Sequence, residues 1–145
     1  MKPTFKVEGF REMERALMAL PKATAKASVR RVLKKAAQPV ADAGRANAPE
    51  KDGNLKESYG VGTRLTKRQR RVSPKQSEVE VYVGPNDPAA VQTEFGNRRQ
   101  AAEPHLRPAW EAKKAEVLRI IKEELWADIV KSVARYRKRV AKRGR

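Results

Sequence analysis

The sequence predicts an α+β protein in which long α-helices pack against a small antiparallel sheet, with a long basic helix at the C-terminus. Apolar residues recur at helical spacing in both halves of the chain, and residues 78–84 between them alternate with a period of two. Charged residues make up 35% of the chain and aromatic residues only 6%. We therefore expect a thin core, completed by apolar surface buried between subunits.

The length of 145 residues predicts one domain, covering 1–145. Within it we expect four parts along the chain: a helical N-terminal part (10–48), a β-hairpin (54–84), a short helix (88–95) and a C-terminal helix with a basic tail (107–143).

The N-terminal part begins with an extended segment at Thr4–Val7 and a helix from Phe10 to Leu20, whose apolar residues are spaced three and four apart. Pro21 suits the first position of the next helix, where its missing N–H costs nothing. That second helix is expected from about Lys22 to Asn47. It is rich in alanine, which favours helix and close packing, and Pro39 predicts a kink near Lys35 and Ala36.

A change of period after Gly53 predicts the hairpin. Residues 55–65 indicate an imperfect strand, residues 66–77 a basic loop, and residues 78–84 a regular strand with valines on one face. Asp87 and Pro88 then suit the start of a short helix, and Gly96 suits its end. The last helix is expected to begin near Arg107 or Pro108 and to keep its apolar stripe to about residue 133.

Composition limits the classes of function. The formal net charge of +17 favours nucleic acid, an acidic protein surface or a membrane as partner. There is no cysteine, which excludes disulfides and thiolate chemistry and fits a reducing compartment. No apolar run approaches the roughly 20 residues that a membrane helix needs, and the polar N-terminus lacks the apolar core of a signal peptide.

Catalysis is not expected. The only histidine, His105, lies between Pro104 and Leu106, where packing or hydrogen bonding is the expected role. The pairs Glu12/Glu14 and Glu123/Glu124 diverge on their helices, so neither can act as an acid–base dyad. We expect no metal site, because His105 has no partner at ligand spacing, and no cofactor.

Two basic stretches are candidates for contacts with DNA or with an acidic partner. Residues 131–145 carry eight basic residues and no acid. Solvated charge is the plain alternative, and the scarcity of aromatic residues argues against stacking on single-stranded bases. The candidate residues are Arg64, Lys67, Arg68, Arg70 and Arg71 in the loop, and Arg135, Arg137, Lys138 and Arg139 in the tail.

A series of short motifs carries a family resemblance. They are Ala46-Asn47-Ala48-Pro49, Gly53-Asn54-Leu55-Lys56-Glu57-Ser58, Val81-Tyr82-Val83-Gly84-Pro85, Glu94-Phe95-Gly96 and Pro104-His105-Leu106-Arg107-Pro108-Ala109. In this order they resemble the HK97 gp10-like family of tailed-phage proteins, over about residues 5–125.

The resemblance implies a structural virion protein without enzymatic activity. It implies a ring of identical subunits, commonly a hexamer, in the neck between head and tail, made in the host cytoplasm. The implied partners are copies of itself, the neighbouring connector or stopper, and tail-tube proteins, with possible contact to packaged double-stranded DNA and none to membrane. A basic nucleic-acid-binding or packaging accessory protein is the alternative.

The segment from Glu94 to Trp110 is predicted to act as a joint. In this hypothesis Phe95, Leu106 and Trp110 pin the short and the long helix to the sheet and so aim the terminal helix at its neighbour. The predicted structural or interface residues are Gly53, Leu55, Phe95, Gly96, Pro104, His105, Leu106, Pro108 and Trp110.

Overall fold

The computed structural model describes residues 9–50 and 53–144 and is mostly helical, with a small two-stranded sheet. The predicted extended segment at Thr4–Val7 lies outside the described residues. In chain order the elements are α1 (Phe10–Met18), α2 (Lys22–Asn47), α3 (Asn54–Glu57), β1 (Tyr59–Gly62), α4 (Lys67–Val72), β2 (Tyr82–Pro85), α5 (Ala90–Phe95) and α6 (Leu106–Arg143).

The antiparallel pair α2 and α6 forms the frame of the molecule. Near one end of the pair Ser28 and Arg31 bond to Asp128, and near the other end Asn47 Nδ2 donates to the His105 carbonyl at 3.3 Å. Small buried side chains of α2, such as Ala36 and Ala41, let the helix backbones come close. Both predicted helices are confirmed, and α2 is continuous through Pro39.

Apolar residues form two buried clusters at opposite ends of this frame. One holds Met13, Val32, Leu125 and Ile129, where α1 packs across α2 and α6. The other holds Ala48, Leu55, Tyr59 and Ala90, with half-buried Leu106 packed against it. The thin core that the composition predicts is thus divided between the two ends of one helix pair.

The hairpin is confirmed, but its strands are shorter than predicted. β1 pairs antiparallel with β2, with Val61 opposite Val83 and Gly60 opposite Gly84. Residues 55–57 are helical instead of extended: Gly53 adopts φ 81°, and its carbonyl accepts from Glu57 N at 3.0 Å. This closes one helical turn before β1 begins.

The predicted strand over residues 78–84 is wrong for its first half. The Glu80 carboxylate accepts from the backbone N–H groups of Gln76 (2.7 Å) and Ser77 (3.0 Å), which folds the chain back locally. Because β1 is only four residues long and pairs with residues 82–85, no strand within 9–50 and 53–144 pairs with residues 78–81. Side-chain-to-backbone bonds therefore outcompete the alternating pattern.

Three further predictions needed correction. The loop 66–77 contains α4, which a reciprocal capping box between Thr66 and Gln69 stabilises. Pro21 is the N-cap of α2, one position earlier than expected. The short helix begins at Ala90, because Asp87 Oδ1 accepts from Ala89 N at 2.9 Å in a preceding turn.

Candidate functional site

The segment joining α5 to α6 is organised around one buried carboxylate. Glu94 is 5% exposed, and its Oε2 accepts from His105 N (2.8 Å) and Leu106 N (2.9 Å), while Oε1 accepts from Arg107 N (3.0 Å). These are the donors that the first turn of α6 leaves without intrahelical partners, and Pro108 has no N–H to satisfy. Glu94 is therefore the cap of α6, supplied from another helix.

Arg107 closes this arrangement from the solvent side. Its Nε donates to Glu94 Oε1 at 3.0 Å and its Nη2 donates to the Glu94 carbonyl at 2.9 Å. The guanidinium carbon also lies 4.5 Å from the centroid of the Phe95 ring, a cation–π distance. Carboxylate, guanidinium and ring together hold α5 against the start of α6.

His105 lies fully buried beneath the carboxylate. Its Nδ1 bonds to the Tyr59 hydroxyl, and the two rings meet edge to face with centroids 5.6 Å apart. Burial raises the pKa of Tyr59, so the hydroxyl stays protonated and shares a hydrogen bond with Nδ1. The other ring nitrogen, Nε2, is buried without a hydrogen-bond partner among the described residues and lies 3.5 Å from Glu94 Oε2. A ring enclosed in this way offers no face to a substrate, and its role is to link β1 to α6.

Two glycines allow the close approaches at this joint. A Cβ on Gly44 of α2 would lie 2.3 Å from Cε1 of the Tyr59 ring. Gly96 has φ 74°, and a Cβ there would lie 2.7 Å from the backbone nitrogen of Ala102. Any larger residue at either position would displace the chain around the joint.

Glu94 is ionised at neutral pH. Burial by itself would raise its pKa, but the N–H groups of His105, Arg107 and Leu106 and the Arg107 side chain outweigh burial and lower the pKa of Glu94 to about 2. The negative charge of Glu94 also lies next to the positive end of the α6 dipole, and this interaction is favourable.

The structure supports part of the predicted joint and corrects the rest. Leu55, His105 and Leu106 lie at the second cluster, and Gly53 and Gly96 hold positive φ angles. Pro104 is exposed, and Pro108 occupies the first turn of α6. Phe95 and Trp110 are 62% and 46% exposed, so they do not pin the helices to the sheet by burial as predicted, although the Phe95 ring packs on Arg107 of α6. The carboxylate of Glu94 takes that role, together with Tyr59.

Sequence reasoning missed the roles of Glu94, Tyr59 and Gly44. The sequence places Glu94 at the start of the joint but does not identify its carboxylate as the cap, although the run His105-Leu106-Arg107-Pro108 leaves three adjacent N–H donors to satisfy. The acid that satisfies these donors, Glu94, lies eleven residues before His105 in the sequence. The packing of the Tyr59 ring on Gly44 is also a tertiary contact. Neither contact has a local sequence signal.

A second feature is an apolar groove between α1 and α6, about 900 Å³ in volume. Met13, Leu118 and Trp126 line it, and Trp126 is 48% exposed. Two acidic and two basic side chains also line it: Glu12, Glu123, Arg119 and Lys122.

The tail of α6 is a third feature. At 1.5 Å per residue α6 is about 57 Å long and α2 about 39 Å. All residues from 134 to 144 are exposed, so this part of α6 extends beyond its contacts with α2. Its cations include Arg135, Arg137, Lys138 and Arg139, and no acidic residue lies among them.

The other predicted basic residues surround α4. Arg64 precedes the helix, and Lys67, Arg68, Arg70 and Arg71 lie on it, all exposed. The two predicted basic stretches remain separate elements, one beside the hairpin and one at the end of α6.

None of the helices within 9–50 and 53–144 is both long and apolar enough to span a membrane. In the same part of the chain no three histidine or acidic side chains are grouped to hold a metal ion.

Comparison with known proteins identifies one family. A family model described as "Bacteriophage HK97-gp10, putative tail-component" matches residues 11–96, more than half of the chain. No curated protein and no solved structure matches the chain. The matched region contains α1 to α5 and ends at Gly96 of the joint, so α6 lies beyond it.

Proposed function

The chain belongs to the HK97 gp10-like family of bacteriophage tail components, and on that premise we propose that it is a ring-forming subunit of the neck. In this proposal identical copies form a closed ring, a hexamer, between the head connector or stopper and the tail tube. The family supports a structural role in the tail and a place in the virion. Neck position and ring formation are the further steps that we propose.

The groove between α1 and α6 is the observation that carries the ring. Its lining offers large apolar side chains, Trp126 and Leu118, that the described chain leaves accessible. Buried aromatic anchors of this kind supply most of the binding energy in protein interfaces. We propose that a second copy of this chain occupies the groove.

Charge favours a second copy at this groove over other places on the surface. With a net charge of +17, two copies repel each other over most contacts. The groove carries equal numbers of acidic and basic residues, and Arg119 already pairs with Glu123 at 3.7 Å. Copies that meet there do not have to bring like charges together. A contact between this groove and a different surface of the next copy is heterologous, the type that closes rings.

The joint supports the proposal by directing α6. The cap by Glu94, the bond from His105 to Tyr59 and the tight fit of Tyr59 on Gly44 fix the start of α6 to α2 and the sheet. A rigid start sets the direction in which the long helix presents the groove and the tail. Subunits that close a ring need such a constant angle.

Native mass spectrometry, together with incorporation into particles, tests the ring. Trp126→Glu is expected to weaken self-association about thirtyfold or more, the effect of losing a hot spot worth about 2 kcal/mol. Val91→Glu is the control, because Val91 is 66% exposed but lies on α5, away from the groove. Equal assembly of both variants would remove the groove from the interface. A strict monomer that is also absent from assembled particles would count against the ring itself.

A basic nucleic-acid-binding or packaging accessory protein is the second candidate. The projecting tail of α6 favours it, since its cations face solvent without neighbouring acids. Titration of duplex binding with salt, combined with incorporation into particles, separates the two functions. Slopes equivalent to about six or more phosphates, with affinity retained near physiological salt and the chain absent from assembled particles, favour the accessory protein.

A further inference from the structure

A cleft of about 880 Å³ opens between α2 and the segment that links β1 to β2. Four cationic side chains from separate stretches line it: Arg30, Arg64, Arg70 and Lys75. In sequence they extend over 46 positions, from 30 to 75, and only the fold brings them to one cleft. Arg30 was not among the residues predicted to contact an anion.

The carboxylates in the cleft are already engaged. Glu78 pairs with Lys22 at 2.8 Å, outside this set of four cations. Glu80 accepts from the backbone of Gln76 and Ser77 and from the Tyr82 hydroxyl. Among the residues described, none of the four cations has a carboxylate within 4.0 Å. The cleft therefore has more positive than negative charge, since four cations and two carboxylates line it, and Lys75 interacts with both carboxylates beyond 4.0 Å.

A ridge of cations on α2 extends this surface. Lys26, Arg30 and Lys34 follow one another at intervals of four residues, and the first acidic residue of α2 is Asp42. Residues four apart lie on one face of a helix, about 6 Å apart along its axis. Each strand of a DNA duplex places a phosphate about every 3.4 Å along the axis, so the ridge can meet roughly every second phosphate.

We propose that the cleft and the α2 ridge bind the phosphate backbone of double-stranded DNA. The inference goes beyond the ring proposal and does not depend on it. The lining lacks the large apolar anchors that carry protein–protein interfaces, Leu65 and Pro74 being its apolar members, which disfavours an acidic protein as the ligand. Its aromatic residue, Tyr82, donates its hydroxyl to Glu80 and is half-buried, which disfavours stacking on single-stranded bases. Phosphate contacts of this kind position a duplex without reading its sequence.

Two variants of equal charge test the site. The cleft variant combines Arg64→Gln, Arg70→Gln and Lys75→Gln, and the tail variant combines Arg137→Gln, Lys138→Gln and Arg139→Gln. Binding of a short fluorescein-labelled duplex is followed by anisotropy between about 50 and 200 mM salt. The cleft variant should bind at least about tenfold more weakly, and its salt slope should fall by about 3. The tail variant should stay within about threefold of the unaltered chain.

Each other outcome overturns the proposal. Equal losses in both variants mean that overall charge governs binding, and loss in the tail variant alone transfers the contact to α6. If the unaltered chain binds no duplex near physiological salt, the cleft is not a DNA site.

Circular dichroism of each variant verifies folding. Should the cleft variant fail to fold, Lys26→Gln with Lys34→Gln on the ridge is the substitute, with an expected loss of at least about threefold. Particle assembly is scored separately, so that failure of the ring and failure of DNA binding are distinguishable.

Discussion

The joint and the cleft differ in whether their charged side chains have partners within the chain. At the joint one buried carboxylate accepts four hydrogen bonds, three from backbone N–H groups and one from Arg107. At the cleft four cations line open space, and among the described residues none has a carboxylate within 4.0 Å, although Lys75 interacts with Glu78 and Glu80 at longer range. The Glu94 carboxylate is satisfied by hydrogen bonds within the chain, whereas the cations of the cleft and the apolar lining of the groove are accessible to a partner. Substitutions at the joint should therefore change stability, and those at the cleft and groove should change binding.

The largest effect on stability is expected from Glu94→Gln. An amide can accept from some of the three N–H donors, but its own NH₂ group faces the others, which stay buried without a partner. We expect the free energy of unfolding to fall by about 3 kcal/mol, measured by chemical denaturation.

Glu103→Gln is the matched control, because Glu103 is exposed and close in sequence to the joint. It should change stability by less than about 0.5 kcal/mol. If the two variants lose the same amount, the cap does not depend on the carboxylate.

Gly96→Val should be nearly as damaging. It places a β-branched residue at φ 74° and a Cβ against the Ala102 backbone, at a cost of about 2–3 kcal/mol. Gly62→Ala is the control, since a Cβ at Gly62 meets nothing within 4 Å. Thermal unfolding compares the two, and a similar melting temperature for both would contradict the tight turn at Gly96.

Gly44→Ala should destabilise by about 2 kcal/mol, the typical cost of overpacking. At an ordinary helix position this change would be favourable by about 1 kcal/mol. The Tyr59 ring reverses the sign, because the added Cβ would lie 2.3 Å from it. A gain in melting temperature would show that Tyr59 can move aside.

Acid should weaken the joint through Glu94. Its folded pKa of about 2 lies below the ordinary value of 4.5, so its contribution is present above about pH 4.5 and is lost as pH falls toward 2. The free energy of unfolding of the unaltered chain should fall over this range, and the difference in this free energy between the unaltered chain and Glu94→Gln should become smaller. The pKa of Asp128 is also lowered, because hydrogen bonds from Arg31 and Ser28 outweigh its burial. Asp128 is present in both proteins, so the difference between them isolates Glu94. A constant difference from pH 6 to about pH 2 would contradict the ionised cap.

The smallest effects on folding are expected at the exposed rings. Phe95→Ala removes a contact with Arg107 worth about 0.5–1 kcal/mol, and Trp110→Ala should cost less than about 1 kcal/mol. Because both variants fold, a loss of particle yield in Trp110→Ala would report an interface. Normal yield would remove Trp110 from the predicted interface.

Periodicity was a sound guide to the helices and a weaker one to the strands. The bounds of α2 agree with the prediction, and α6 begins at Leu106, one residue before the expected start. The apolar stripes of these two helices repeat over many turns, so their period is hard to mistake for that of a strand. Residues 78–81 alternate just as regularly, but among the described residues no strand pairs with them, and they are not extended into β2. A strand depends on a neighbour elsewhere in the chain, and periodicity does not contain that information.

The amino-acid sequence alone determined the family, the two long helices, the hairpin and the concentration of positive charge. These are properties of order, spacing and composition, all of which are local or additive along the chain. Only the tertiary structure decided which acid caps α6, which glycine receives the Tyr59 ring and which four cations share a cleft. Those outcomes depend on side chains that are distant in sequence and meet only when α2, the hairpin and α6 pack together.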